Sequence, residues 1–562
     1  MAQIDTQTGT PGDGVPPTPP TSSARRPQPR PPGPPQGPGA ANPPRRRIAV
    51  NTAIFAFATA LSRIAGLGRE VVQAAYFATS AAASSFTLAS QVPNLFSNLF
   101  SQAALSAAFV PVFTELLSKG RKREAFRVAS TLFWVILIAL GALTVVWTLV
   151  AGLVVPVFTG SHIPNALTAG LSRVLFPVVL LLSLTGLLVG ILQSYDEFTI
   201  PAIAPAVWNL VILVGLVGLY HQWGGTDRIY AYAIAWLAAT IVQFLMVFFA
   251  LRKVEYKLSF VADWRDPRVK QVLVLFIPVT ISIGIINLDI FLNAGFGSLV
   301  SSHAPSAINN AFRIYMLPQG IFSVAVATVL FPTLSRMAAR RDANGMRRTI
   351  GTGTRQINLL LIPSSALMLV LATPITRLVY QHGNFGPYST HLVSTALFWF
   401  SFSLPFAGVN LLLTRAFFAL KRPWIPTKLA AINIVVDAIV SIALYKPLGI
   451  AGLVIGTAVA NIVMTALQIW RLRIGFNGYL EGGQTTMITL RILVATVIMA
   501  ALARGVWVLL DHVLGRSLAA EIVSVGISCA LACILYAKLV LTMRVPEARQ
   551  IQGLIMARLR ST

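Results

Sequence analysis

The chain has 562 residues, 55% of them hydrophobic and only 11% charged, with a mean hydropathy of +0.72 and a formal net charge of +26. Apolar blocks of about twenty residues recur along its length, which is the composition of a polytopic membrane protein and excludes an ordinary soluble enzyme. A charge of +26 would suggest nucleic acid in a soluble protein; here it collects in loops on one side of a membrane, so no nucleic-acid partner is expected.

Residues 1–47 hold 14 of the 34 prolines, together with Gly, Ser and Thr, and show no apolar periodicity. Such a segment cannot bury a core, so a disordered Pro/Arg-rich cytoplasmic tail is expected. The cluster Arg45-Arg46-Arg47 is not followed by a short apolar core and a small-residue cleavage site, so it is not read as a signal peptide.

About fourteen apolar spans follow, the first at 48–69 and the last at 518–537. With the N-terminus in the cytoplasm, most of the 44 Lys and Arg fall on the cytoplasmic side, and the opposite loops hold only Arg228, Lys446 and Arg516. That asymmetry predicts an even number of spans with both ends in the cytoplasm. Some of the excess charge is then available to anionic membrane lipids at the inner surface.

The first span closes on Leu-Ser-Arg-Ile-Ala-Gly-Leu-Gly-Arg-Glu, residues 61–70. Arg63, Arg69 and Glu70 therefore sit within or at the edge of hydrocarbon, where a charge is costly unless it is paired or lines a polar cavity. In a straight helix Arg63 and Arg69 would point about 120° apart. Gly66 and Gly68 lower the cost of a bend that would turn both guanidinium groups to one side. Snorkelling of Arg69 to the outer interface is the plain alternative. The second span adds Asn94 and Gln102, and the fourth adds Arg173.

The body of the chain repeats. Pro93 precedes Phe109-Val110-Pro111 and a basic loop, as Pro318 precedes Leu330-Phe331-Pro332 and its own basic loop. Pro201 with Asn209 is echoed by Pro426 with Asn433, and matching points lie 221 to 225 residues apart. Six spans separate them, so the halves share orientation and are related by an axis along the membrane normal, as in parallel-repeat transporters. The expected architecture is all-α and polytopic: about 14 transmembrane helices, two parallel six-helix repeats around a central cavity, and two extra C-terminal helices. The expected divisions are a lobe at 48–251, a cytoplasmic linker at 252–270, a second lobe at 271–473, two further helices at 486–543, and a short basic cytoplasmic tail at 544–562, with no large cytoplasmic domain after it.

The second half supplies its own intramembrane polar residues: Asp289 in span 7, Arg313 in span 8, Arg377 in span 9, Asn433 and Asp437 in span 11, and Thr457 in span 12. Arg313 stands alone among apolar residues, and pairing with Asp289 is its plain structural explanation. Arg377 lies near an outer end and reads as an interface anchor. Asn433 and Asp437, four apart, share one helix face. With Asp289 and Thr457 they offer two carboxylates, an amide and a hydroxyl, a hard-oxygen set suited to a sodium ion. A proton carried on a desolvated carboxylate, or a polar site with no ion, are the alternatives. Cys529 and Cys533 have no nearby His or second pair, and no other cofactor is expected.

These residues carry a family resemblance. The chain resembles the MurJ/MviN lipid II flippases of the multidrug/oligosaccharidyl-lipid/polysaccharide exporter superfamily, from about residue 48 to 543. The shared motifs are Ser62-Arg63-x-x-Gly66-x-x-Arg69-Glu70, Pro93-Asn94-Leu95, Ala104-Leu105-Ser106-x-x-Phe109-Val110-Pro111, Ala311-Phe312-Arg313, Gln381-His382-Gly383-Asn384-Phe385, and Arg415-Ala416-Phe417-Phe418-Ala419-Leu420. The resemblance implies a transporter without covalent chemistry. Its cargo would be an undecaprenyl-diphosphate-linked peptidoglycan precursor, moved between leaflets by alternating access for cell-wall synthesis, with cell-wall synthesis proteins as candidate partners. Arg63, Arg69 and Arg313 match the family's cavity arginines, and Asn94 and Glu70 stand beside them; guanidinium groups suit a diphosphate because they donate bidentate hydrogen bonds. The sodium set is similar to one reported in the family. The chain departs from the common pattern at Ser84, at Ser97-Asn98 and at Gln102, where relatives carry an acidic residue, an arginine pair and a glutamate. Two neighbouring functions stay open at this level: a flippase for another polyprenyl-linked glycan, and a cation-coupled small-molecule exporter. No acid–base pair, nucleophile or phosphate-binding glycine loop points to an enzyme.

Overall fold

Hydrophobic length decides the architecture. In the computed structural model every regular element among the described residues is helical, which lets each backbone satisfy its own polar groups in hydrocarbon. The described residues are 45–99, 102–195, 197–254, 256, 258–260, 263, 266–476, 481–515, 517–550 and 552–553. For 45–60, 97–99, 102–108, 273, 275–287 and 289 only the helical path is described. Two units are distinguished, Met1–Val50 and Asn51–Thr562; the expected tail lies outside the described residues up to position 44, and every site residue belongs to the second unit.

The helices are α1 (Arg45–Phe77), α2 (Ala81–Leu99), α3 (Gln102–Ser118), α4 (Lys122–Phe158), α5 (Asn165–Leu175), α6 (Pro177–Ser194), α7 (Thr199–Leu219) and α8 (Ile229–Ala250). After a connection come α9 (Pro267–Val300), α10 (Ala304–Pro318), α11 (Val324–Ala339), α12 (Ala343–Val370), α13 (Ala372–Tyr380), α14 (Pro387–Ala419), α15 (Trp424–Leu448) and α16 (Ile450–Gly475). The last two are α17 (Gly482–Leu514) and α18 (Leu518–Thr542).

Ten runs among the described residues are long and apolar enough to cross a bilayer, and counting the bent α12–α13 pair as one span makes eleven. In that count α5 joins α6, and α10 joins α11 through a π-helical turn at Gln319–Ser323. The helix α1, the α2–α3 pair and α9 occupy the positions of the other three expected spans.

Breaks follow proline chemistry. Pro374 has no N–H for the carbonyl of Val370, and there α12 and α13 meet at 81°. Pro93, Pro205 and Pro405 sit inside α2, α7 and α14, and each frees the carbonyl four residues before it, a cost that neighbouring side chains can offset within a membrane. One such repair is explicit: Ser365 Oγ donates at 2.5 Å to the carbonyl of Ser401, the group that Pro405 leaves without a helical partner.

Side chains sort by solvent. Leu149, Leu153 and Val157 of α4 and Val497, Leu509 and Val513 of α17 are exposed, an outward apolar face that hydrocarbon accepts. In the second half α10, α12 and α14 bury a shared core that includes Leu361, Leu397, Leu404 and Phe417. The first half packs Phe109, Phe113 and Leu132 in one cluster and Phe86, Tyr232 and Leu216 in another. The pair α17–α18 is fastened to α12–α13 by arginine at both ends of the seam. Arg355, buried, binds Glu547 and, at 3.0 Å, Glu481. Arg377 lies 3.2 Å from Glu521 and 3.7 Å from Asp511, so it neutralises carboxylates inside the protein instead of anchoring at the lipid interface.

Candidate functional site

A cavity of about 500 Å³ lies between α1, α2, α7 and α8 on one side and α9 and α10 on the other. Its polar wall carries Arg69, Glu70, Gln73, Asn94, Asn209 and Arg313. A second, more apolar chamber of about 340 Å³ adjoins it, sharing Thr87, Gln91, Asn309 and Phe312 and extending to Thr457 and Asn461 of α16.

Charge at the centre of this wall is concentrated in three groups. Arg69 is 6% exposed and forms an ion pair with Glu70, which is 8% exposed. The Nε of Arg313 approaches the same carboxylate from the other half at 3.8 Å. Arg313 is the open member, with 46% of its side chain accessible. The guanidinium of Arg69 lies 5.0 Å from the ring centroid of Trp208 and 5.0 Å from that of Trp236, and indole faces stabilise a desolvated cation. Its Nε and Nη1 are buried and donate to no protein atom. One carboxylate thus serves two guanidinium groups, leaving net positive charge and unused donors at a cavity within the membrane. That arrangement receives an anion with several acceptor oxygens.

The sequence-predicted residues separate. Arg69, Glu70, Asn94 and Arg313 line one cavity. Arg63 does not join them: α1 continues through Gly66 and Gly68 without a break, and Arg63 is exposed while Arg69 is buried. Gly66 packs against Asn209, whose Nδ2 also donates to the carbonyl of Ser62 at 3.3 Å, and along an unbroken helix a six-residue spacing sets the two arginines on different faces. Among the described side chains, Arg313 meets Glu70; the expected pairing with Asp289 lies outside them, as does the side chain of Gln102. Arg173 points elsewhere, donating from Nε to the carbonyl of Thr148 at 3.0 Å.

Of the second predicted cluster, Asp437 and Thr457 come together. Asp437 is 3% exposed. Its Oδ2 accepts from Asn293 Nδ2 at 2.7 Å and from Thr457 Oγ1 at 3.4 Å, and its Oδ1 accepts from Ser441 Oγ at 3.1 Å. One turn earlier, the buried Oδ1 of Asn433 has no hydrogen-bond partner. Helices α9, α15 and α16 meet here, and Asn293 and Thr457 reach the apolar chamber as well.

Beyond the end of α1 the two halves are tied together. Thr79 Oγ1 and Ser389 Oγ share a hydrogen bond of 2.8 Å, His303 Nδ1 lies 2.6 Å from the Thr79 carbonyl, and the amide of Ser306 donates to Ser84 Oγ at 3.2 Å. The loop after α13 adds Asn384, whose amide donates to the carbonyl of Ala75 at 2.8 Å and whose Nδ2 donates to that of Tyr76 at 2.9 Å. Gly383 has φ +59°, and a Cβ there would come 2.7 Å from the Ala75 oxygen, so glycine is required for this close approach.

Sequence reasoning missed Trp208, Trp236 and Asn293. Asn293 was within reach, since it stands four residues after Asp289 on the same helix. The tryptophans carried no signal, because an aromatic in an apolar span looks like lipid-facing or core packing until the fold sets it beside a cation.

Comparison with known proteins gives the family and supports the fold. The family model described as "Lipid II flippase MurJ" matches residues 73–523. A probable lipid II flippase MurJ of Rhizobium meliloti (strain 1021) is 30% identical over 426 residues, 74% of this chain and 79% of that protein. The lipid II flippase MurJ of Burkholderia cenocepacia is 29% identical over 427 residues, 74% of this chain and 82% of that protein. Among solved structures, one titled "Lipid II flippase MurJ, inward closed conformation" superposes with a TM-score of 0.72 at 22% identity, covering 87% of this chain and 99% of that one. An inward-facing multidrug transporter of the MATE family superposes with a TM-score of 0.64 at 14% identity, covering 75% and 94%. The extent of the family match, with a relative at this identity over most of both lengths, establishes that the chain is a member of the lipid II flippase MurJ family.

Proposed function

We propose that the protein moves lipid II, the undecaprenyl-diphosphate-linked peptidoglycan precursor, from the inner to the outer leaflet of a bacterial plasma membrane, with both chain ends in the cytoplasm. The observation that carries this reading is the placement of Arg69 and Arg313, one from each half, against a single shared carboxylate on the cavity wall. A diphosphate outcompetes Glu70 for Arg313, because it brings more acceptor oxygens to planar donors already in place. Binding would draw α1 and α10 together, and the two halves would then rock about the bound headgroup. The protein acts by binding and conformational change and makes or breaks no covalent bond. Its substrate connects it to the cell-wall synthesis proteins that make and consume that lipid.

The Asp437 cluster supports a sodium site in this reading. Asp437, Thr457 and the partnerless Oδ1 of Asn433 are hard oxygen donors gathered in a buried place, the chemistry sodium prefers over soft ligands. The ion would supply a positive charge that draws α15 and α16 together, while Asn293 holds the carboxylate in position from α9.

Depletion in the native host tests the substrate. Lipid II should accumulate at the cytoplasmic face while other polyprenyl-linked glycans stay at their normal level; accumulation of a different glycan, with lipid II unchanged, would overturn the assignment.

A further inference from the structure

A third arginine sits on the seam that holds α17 to α12 and α13, and it differs from the other two. Arg355 and Arg377 are each neutralised by two carboxylates. Arg504, between them along α17, has no carboxylate within salt-bridge distance among the described residues. Its Nη1 donates to the carbonyl of Val370 at 3.2 Å, the group that Pro374 leaves without a helical partner, and its guanidinium stacks 4.7 Å from the ring of Trp507. The residue is exposed on a helix face that also exposes Val497, Ile498, Val508 and Leu509. A charged group on a lipid-facing surface, fixed by one neutral carbonyl, keeps donors free for an anion that comes from the bilayer.

The 81° break between α12 and α13 opens a groove of about 660 Å³ at this point, within the range of small-ligand sites. Arg504 lines it with Thr373, His391 and Thr395 as polar groups and with Phe398 and Phe402 as exposed apolar ones. The hydroxyl of Thr395 donates to the His391 carbonyl at 2.8 Å, so toward a ligand it offers its lone pairs. None of the groove's lining residues belongs to the central cavity. One guanidinium fits one phosphodiester, whereas the central cavity brings two guanidinium groups to its wall.

We propose that this groove binds an anionic glycerophospholipid of the surrounding membrane, its phosphate on Arg504 and the start of its acyl chains along Phe398 and Phe402. The bound lipid neutralises the third arginine of the seam as Glu521 and Asp511 neutralise Arg377. The groove shares no lining residue with the central cavity, so it is tested without transport. The full-length protein, purified in detergent, is incubated with phosphatidylglycerol or with zwitterionic phosphatidylcholine, and retained lipids are counted by native mass spectrometry alongside thermal melting. The wild type should retain one more phosphatidylglycerol than Arg504→Gln, and the variant should lose at least half of the melting-temperature gain that phosphatidylglycerol gives. Arg504→Lys should fall between them. Thr395→Trp, which fills the groove and leaves the Arg504 side chain in place, should also lose one lipid, and it keeps the test valid if Arg504→Gln fails to fold. Equal phosphatidylglycerol retention by the wild type and the folded variants would overturn the site. Equal retention of phosphatidylcholine at Arg504, or displacement of the phospholipid by undecaprenyl diphosphate added at equal concentration, would overturn the assignment to an anionic glycerophospholipid.

Discussion

A carboxylate shared by two guanidinium groups is the chemical centre of this molecule, and its parts respond differently to substitution. Glu70 and Arg69 are both almost fully buried, so removing one partner strands the other. Glu70→Gln is expected to cost on the order of 3 kcal/mol of stability, read as an earlier melting transition of the purified protein. Arg313 is half open, so Arg313→Ala should insert and melt near the wild type yet lose transport, with Arg313→Lys recovering only part because it keeps charge without the fork. A normal transport rate for a well-expressed Arg313→Ala variant would remove it from the diphosphate site. At this scale the sequence was legible where a charge interrupts an apolar span, as at Arg69, Glu70 and Arg313. It was not legible where the decision belongs to geometry across the fold: nothing in the sequence distinguishes Arg63, which is exposed, from Arg69, which is buried, or brings Arg313 to Glu70 of the other half.

Among elements, α15 and α16 approach closely, and small residues allow it. A Cβ at Gly452 would stand 2.2 Å from the Leu444 carbonyl oxygen, and one at Gly456 would stand 2.2 Å from Ser441 Oγ and 2.7 Å from Asp437 Oδ1. Gly452→Ala should therefore lose about 1–3 kcal/mol, whereas Gly526→Ala in α18, with open space around the added methyl, should melt with the wild type. The same helix pair holds the proposed sodium ligands. Sodium should raise the melting temperature above the value in equal potassium or choline, and Asp437→Asn should erase the difference; identical melting in the three salts would leave the cluster without an ion. Helix existence was legible from hydrophobic length, and the α12–α13 break is explicable from Pro374, but its 81° angle depends on what packs around it. The four-residue spacing of Asn433 and Asp437 predicted a shared face, while Ser441 and Asn293 entered the cluster through packing.

The whole molecule is two halves that meet around a cavity and are tied together beyond the end of α1. If alternating access requires those ties to part, a covalent bond there should stop the cycle. Thr79 and Ser389 touch through their hydroxyls at 2.8 Å, so cysteines at both positions, with Cys529 and Cys533 replaced by serine, should cross-link under mild oxidation. Transport should cease on oxidation and return with reductant; continued transport by a fully cross-linked sample would show that this contact does not open. The all-helical fold and the family were legible in the sequence because motif order and hydropathy survive as linear patterns. The ties between halves were not, since Thr79, His303 and Ser389 are ordinary loop-end residues until the fold brings them together. The central claim, that Arg69 and Arg313 carry lipid II across this cavity, is tested most directly in cells whose only flippase is this chain, by measuring the fraction of lipid II open to cleavage by an enzyme confined to the outside of the membrane. The account predicts that this fraction falls to background on depletion, and equally in Arg69→Ala and Arg313→Ala cells that hold normal amounts of the protein; an undiminished fraction in either folded variant would contradict it.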